Sequence, residues 1–283
     1  MTEPERPILR WHGGKWMLAP WIIAHFPDHR VYVEPFGGAA SVLLRKPRAY
    51  AEVYGDLDDE LVNLFRVLRS RRARALVQQL RLTPFSRSEF EEAYLPTEDE
   101  LERARRMIIR SYMGFGTPGA FGRSTGFRAD SNKSGTTPAH DWRNFPDALP
   151  AIIERLRGVV IEKRPAMKLM AKHDSPDTLH YVDPPYLPET RGTGNPHCTK
   201  HKYRHELTEA DHAELLRFLD GLAGMVVLSG YPSDPYDQVL PNWTRVQRDA
   251  LADGARKRIE VLWINPAAAE RMGHGPLFEG LAA

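Results

Sequence analysis

The chain predicts an α/β fold with one main domain interrupted by an insertion, and three observations carry that expectation. A short strand, a glycine turn and a helix follow one another over residues 31–44, which is the opening unit of a nucleotide-binding α/β sheet. The alternation of apolar strands and amphipathic helices then stops near residue 70 and resumes near residue 151. Between them, residues 114–137 are rich in Gly, Ser, Thr and Pro with Phe115, Phe121 and Phe127 interspersed. That is too long for an ordinary connection in a small domain, and loops of such length are usually functional.

The elements follow in order. Val31, Tyr32 and Val33 form a β-branched and aromatic run that ends at Glu34-Pro35-Phe36-Gly37-Gly38, and Ser41, Val42, Leu43 and Leu44 begin a helix. Residues 50–54 read as a second strand, closed by Gly55-Asp56-Leu57-Asp58. Leu61, Leu64, Phe65 and Leu68 recur at helical spacing, with Asp58 and Asp59 suited to the positive helix N-terminus. Residues 71–80 and 98–111 read as helices of the insert. Beyond it, helices are expected at 151–156, 167–172 and 209–222, and strands at 159–161, 179–182, 225–229, 244–247 and 259–264.

Composition narrows the function classes. The formal charge is +2 with a sequence pI near 8.6, so any surface for nucleic acid is local. A single cysteine, Cys198, excludes an internal disulfide framework. Residues 1–10 contain no apolar stretch of the secretory type, so a cytoplasmic protein is expected. No apolar run approaches the roughly 20 residues of a membrane span, so no membrane partner is expected.

Three strings carry chemistry. Asp183-Pro184-Pro185-Tyr186 follows the apolar run 179–182. Prolines donate no hydrogen bond and fix φ, which leaves carbonyls available on a stiff turn. On residues alone two readings stay open: a proline-rich turn with a capping Asp, or a corner that holds an extruded base through the Asp183 carboxylate, the Pro184 carbonyl and the Tyr186 ring. The turn after the first strand lacks the GxGxxG pattern, because Ala39 and Ala40 stand where further glycines belong. On residues alone the segment is either a plain strand-to-helix turn or a ligand site, where Glu34 disfavours a phosphate and suits a cationic or amine-bearing ligand. Asp56, about 20 residues beyond the turn, has the separation at which a carboxylate meets a ribose. The third string, Arg10-Trp11-His12-Gly13-Gly14-Lys15-Trp16, combines stacking surface, close backbone approach and a cation. It reads either as a ligand clasp through Trp11 and Lys15 or as a strap anchored in the core, the latter favoured for Trp16.

Together, in this order and spacing, these strings resemble the Dam-like, phage-type family of S-adenosylmethionine-dependent DNA adenine N6-methyltransferases, over nearly the whole chain. The resemblance implies a Rossmann-like methyltransferase sheet, mostly parallel with one antiparallel strand near the C-terminus. It implies a catalytic domain of residues 1–69 and 151–283 with a target-recognition insert at 70–150. Trp11, Lys15, Glu34, Phe36, Gly37, Asp56 and Asp183 fall on cofactor-contacting positions, and Asp183, Pro184 and Tyr186 on catalytic ones. Two positions depart from the family pattern: Pro165 stands where an acidic residue is common, and Gly55 where Asn is usual. The activity implied is methyl transfer from S-adenosylmethionine to a flipped adenine in double-stranded DNA; separately, a monomer is the favoured expectation. RNA adenine methylation and a catalytically silent DNA-binding scaffold are the alternatives.

Residues 103–143 hold eight Lys or Arg against Asp130 and Asp141. With the interleaved phenylalanines this suggests a hairpin entering DNA, Arg123, Arg128 and Lys133 being its contacts, half of the charges at 103–110 belonging instead to a solvated helix face. A basic loop after Tyr186 adds Lys200 and Lys202, along with Arg191 and Arg204. His197, Cys198, His201 and His205 have ligand-like types but lack the two separated ligand pairs of structural zinc, so no metal is expected.

Overall fold

The expected strands assemble, in the computed structural model, into one seven-stranded sheet of order β3-β2-β1-β4-β5-β7-β6. Residues 3–116, 125–131, 135–187, 204–252 and 256–273 are described. The strands are β1 (Val31–Glu34), β2 (Ala51–Gly55), β3 (Val159–Glu162), β4 (Thr178–Val182), β5 (Met225–Gly230), β6 (Thr244–Ala252) and β7 (Arg256–Ile264). β1 runs parallel to β2 and β4, and β4 parallel to β5. β7 runs antiparallel to both β5 and β6, so it is the reversed strand near the C-terminus. The fold is α/β with a mostly parallel sheet.

The chain divides into two units. One comprises Met1–Trp16, Gly38–Arg45 and Asp58–Ile161, and is largely helical. Its helix Asp59–Leu68 starts where the acidic residues predict, because the Asp58 side chain accepts from the Glu60 N–H at 2.9 Å and caps the first turn. Helix Glu100–Met113 is capped by Asp99 and lies almost wholly buried from Met107 to Met113. The segment before Trp11 is pinned to it: Tyr112 Oη donates to Pro7 O at 2.7 Å, and the Arg10 N–H donates to Ser111 Oγ at 2.8 Å.

The arginines of this helix are not a free basic face. Arg103 pairs with Glu60 at 2.5 Å, Arg105 with Glu89 and Glu102 at 2.8 and 2.7 Å, and Arg106 with Glu102 at 2.6 Å. Arg110 donates to Ala93 O. The excess counted over residues 103–143 began one residue after Glu102, and the other partners are remote in sequence. Four of the eight cations are therefore spent inside this unit.

The other unit comprises Met17–Gly37, Lys46–Leu57 and Glu162–Ala283. Its core is built from strand residues Val33, Val53, Val182, Val226, Leu228 and Val261, packed by Leu169, Met170, Leu215, Leu216, Leu219, Tyr236 and Trp263. Helix Glu209–Asp220 opens with a reciprocal cap between Thr208 and Asp211. Helices Asp234–Val239 and Pro266–Met272 were not expected, although each has Pro in its first turn, and Asn265 caps the second by accepting from the Ala268 N–H. β6 runs well past the expected 244–247. Its far half, Arg248 to Ala252, has no β-branched or aromatic residue, and ladder pairing with β7 supplies what its sequence pattern does not.

His180 is wholly buried on β4, with Nε2 at 3.2 Å from Asp174 Oδ1. Burial holds its pKa below the ordinary histidine value, against the opposing pull of Asp174. The folded chain thus binds a proton less readily than the unfolded one. The resulting stability is complete above the unfolded pKa and is lost as pH falls from about 6.5 toward the depressed folded value. Thermal melts should show a lower Tm at about pH 5.5 than at about pH 7.5. His180→Gln should reduce that difference, His29 and His173, whose pKa values are also lowered, supplying the remainder. An unchanged difference would assign the pH dependence to other groups.

Candidate active site

The sheet order reverses between β1 and β4, and in open α/β sheets ligands bind beyond the carboxyl ends of the strands at such a reversal. β1 ends in Glu34-Pro35-Phe36-Gly37, and neighbouring β4 runs into Asp183-Pro184-Pro185-Tyr186. β2, on the other side of β1, ends at Gly55 and delivers Asp56. Seven of the expected residues, Glu34, Phe36, Gly37, Asp56, Asp183, Pro184 and Tyr186, thus belong to one edge of one unit.

Close packing shapes this edge. The Gly37 N–H donates to Gly55 O at 2.8 Å, and a Cβ on Gly37 would run into the ring of the fully buried Tyr54. At Gly55, where the family pattern has Asn, a Cβ would meet Leu169 Cδ2, so Leu169 fills the space a side chain would need. Glu34 is buried and accepts from Tyr32 Oη at 2.6 Å. Burial and the Glu34 carboxylate push the Tyr32 phenol well above its ordinary value, so it stays a donor. Asp56 and Asp183 are half-buried, and the Asp56 N–H donates to Glu162 O at 3.2 Å. The Glu162 carboxylate is itself engaged by Lys172 at 3.1 Å.

Tyr186 is held at its hydroxyl, which donates to Glu260 Oε2 at 3.0 Å and lies 3.2 Å from Ser229 Oγ. Its ring meets Tyr231 edge to face at 4.5 Å between centroids, and the Arg258 guanidinium lies over the Tyr231 ring. Burial, then the Asp183 and Glu260 carboxylates, push its phenol well above the ordinary value. None of Ser229, Tyr231, Arg258 or Glu260 was expected at the site. The one available signal was Glu260, a buried carboxylate inside the apolar run Ile259 to Ile264.

The helical unit holds the other candidates. Lys15 is buried, and its Nζ donates to Gly13 O at 3.0 Å. Gly38 has φ +49°, and a Cβ there would lie 2.9 Å from Trp11 Nε1, so both backbone and neighbour demand glycine. Ala40 takes φ +53° in the same turn, a left-handed conformation that costs a Cβ-bearing residue about 1–2 kcal/mol. Trp16, expected as a core anchor, is only half-buried, with the Arg45 guanidinium over its ring and bonded to its carbonyl. Arg128 is half-buried: its N–H donates to Met113 O at 2.8 Å and its guanidinium to Tyr112 O at 3.3 Å. Gly114 and Phe127 bridge antiparallel, with Phe127 against Phe85 and Phe90. Arg123, Lys133, Lys200 and Lys202 lie outside the described residues, as do His197, Cys198 and His201. Among the described residues no group of three or more His, Cys, Asp or Glu could hold a metal ion.

The family model described as D12 class N6 adenine-specific DNA methyltransferase matches residues 11–237. The chain belongs to this family. It is 26% identical over 190 residues to a DNA adenine methylase of Vibrio cholerae, covering 66% of this chain and 67% of that one. It is 24% identical over 275 residues to the DNA adenine methylase of Escherichia coli K12, covering 92% and 95%. Among solved structures it is similar to a putative methyltransferase, yhhF, from Escherichia coli, with TM-score 0.37, 12% identity and coverage of 89% and 83%. The protein is an enzyme that methylates adenine N6 in DNA, so its reaction takes a methyl donor and a DNA substrate. RNA methylation and a silent scaffold are not favoured. Among the described residues no helix is long and apolar enough to cross a membrane.

Proposed function

We propose that the methyl donor is S-adenosylmethionine and that the target adenine is presented flipped from double-stranded DNA, to a monomeric, cytoplasmic enzyme. The observation that carries this reading is the meeting of two acidic, proline-containing strand ends, those of β1 and β4, at the reversal of the sheet order. The seven residues at that edge include three carboxylates and neither Lys nor Arg. That set suits a ligand with an ammonium, a sulfonium and ribose hydroxyls, and is wrong for a pyrophosphate. In the proposed assignment Asp56 accepts from the ribose, and Glu34, Phe36 and Gly37 line the methionine end. The family resemblance extends the cofactor set to Trp11 and Lys15.

Bound S-adenosylmethionine supplies an electrophilic methyl group on a sulfonium. The chain's own task is to make the adenine amino nitrogen, whose lone pair is delocalised into the ring, behave as a nucleophile. The Asp183 carboxylate and the Pro184 carbonyl accept its two hydrogens, which favours a pyramidal nitrogen and aims the lone pair. Asp183 also favours loss of the proton that the nitrogen sheds on methylation. The Tyr186 ring carries the base by stacking. Residues 70–150 form the target-recognition insert in this reading, with Arg123, Arg128 and Lys133 on DNA, joined by Lys200 and Lys202 from the loop after Tyr186.

Asp56→Ala separates cofactor from DNA. Loss of a charge-assisted hydrogen bond should weaken S-adenosylmethionine binding, measured by calorimetry, by about 1–3 kcal/mol and leave DNA affinity nearly unchanged. Equal loss of both affinities would make Asp56 structural and remove the ribose assignment.

A further inference from the structure

We infer that Glu260, with Ser229, is a positioning residue for methyl transfer, acting by holding Tyr186 as a rigid platform for the flipped adenine. The inference rests on the proposed role of Tyr186. Two restraints act on that side chain from different strands. Ser229 is buried at the end of β5 and Glu260 is buried on β7, and both lie within hydrogen-bond distance of Tyr186 Oη, at 3.2 and 3.0 Å. β5 and β7 are adjacent, with Ser229 opposite Leu262, which brings the two polar side chains to the same hydroxyl. Tyr231, one residue beyond β5, meets the Tyr186 ring edge to face at 4.5 Å and fixes its tilt.

A buried carboxylate carries a desolvation cost that a sheet core ordinarily avoids by using an apolar residue. Here the hydroxyl it engages belongs to the side chain proposed to carry the base. A tyrosine anchored at Oη cannot turn about χ1 without breaking that bond, so its face is presented in one orientation before DNA arrives. Orientation of this kind acts on the reaction rate more than on overall DNA affinity, because it selects the reactive geometry among bound ones.

The test is a double-mutant cycle. Tyr186→Ala, Tyr186→Phe, Glu260→Gln, Glu260→Ala and the pair Tyr186→Phe with Glu260→Ala are compared for kcat, KM for DNA, and fluorescence of 2-aminopurine at the target position, with thermal melts to verify folding. Glu260→Ala should lower kcat by roughly ten- to a hundredfold, the range of one charge-assisted hydrogen bond, with little change in KM. Glu260→Gln, which keeps an acceptor, should recover most of it. In the Tyr186→Phe background the Glu260→Ala loss should largely vanish, because the bond it breaks is already gone.

A loss of the same size in both backgrounds, or wild-type kcat in Glu260→Ala, overturns the inference. If Glu260→Ala does not fold, Tyr186→Phe decides alone: a roughly ten- to hundredfold loss of kcat supports the inference, and a kcat within about twofold of wild type overturns it. Wild-type activity in Tyr186→Ala would remove the platform role of Tyr186 itself and the inference with it, whereas a dead Tyr186→Ala beside uncoupled Glu260 variants would remove the inference alone.

Discussion

Asp183→Ala should abolish methyl transfer while leaving the fold intact. Asp183 follows β4, a strand buried along its whole length, but its own side chain is only half-buried. Truncation therefore removes an acceptor without opening a cavity in the core. The loss should exceed about a hundredfold in kcat, the scale for deleting one preorganised group that meets charge developing in the transition state. Transfer of labelled methyl groups to DNA measures it, and a thermal melt with circular dichroism establishes that the variant is folded. More than about a tenth of the wild-type rate would count against the catalytic assignment. Asp183→Asn keeps the shape and an acceptor oxygen but loses the charge, so it should fall between the two.

Gly37→Ala should have the largest effect on stability. No sign of this is visible in the Glu34-Pro35-Phe36-Gly37-Gly38 string, where the pair of glycines suggests turn geometry. In the structure Gly37 does not have a positive φ. Its constraint is the Tyr54 ring, which three of its own carbons would bring inside van der Waals contact of the new Cβ. Tyr54 is fully buried on β2, so neither partner can retreat into solvent. Over-packing of this kind costs about 1–3 kcal/mol, which corresponds to a Tm lower by several degrees in a domain of this size. Cofactor affinity should fall with it, because the displaced turn carries Glu34 and Phe36. Replacing Tyr54 by Leu in the same chain should recover part of the stability. A Gly37→Ala protein that melts like wild type would show that the turn moves freely, and would remove the case for a rigid strand end.

Much of the site was legible in one dimension because the chemistry is concentrated in short strings. Asp183-Pro184-Pro185-Tyr186 states its own stiffness and its own acceptors, and Asp58 announces the helix it caps. Local hydrogen bonds and φ restrictions act over a few residues, so they are visible in the order of residues. The short helices with Pro in the first turn, at 138, 235 and 266, carried the same kind of signal, but each has barely two turns and too few apolar repeats to stand out.

The sequence by itself determined the α/β class, the strand ends that bear the chemistry, and the resemblance that names the reaction. Tertiary structure alone decided which strand ends are neighbours. β7 sits between β5 and β6, an order no local pattern encodes, and that placement brings Glu260 to a tyrosine 74 residues away. The same holds for the arginines of helix Glu100–Met113. Their positive charge is plain in the sequence, yet Glu60, 43 residues before Arg103, neutralises part of it. The physical reason is common to both cases. Strand pairing and ion pairing depend on distance in space, and chain order constrains that distance only over the few residues that a turn or a helix cap spans.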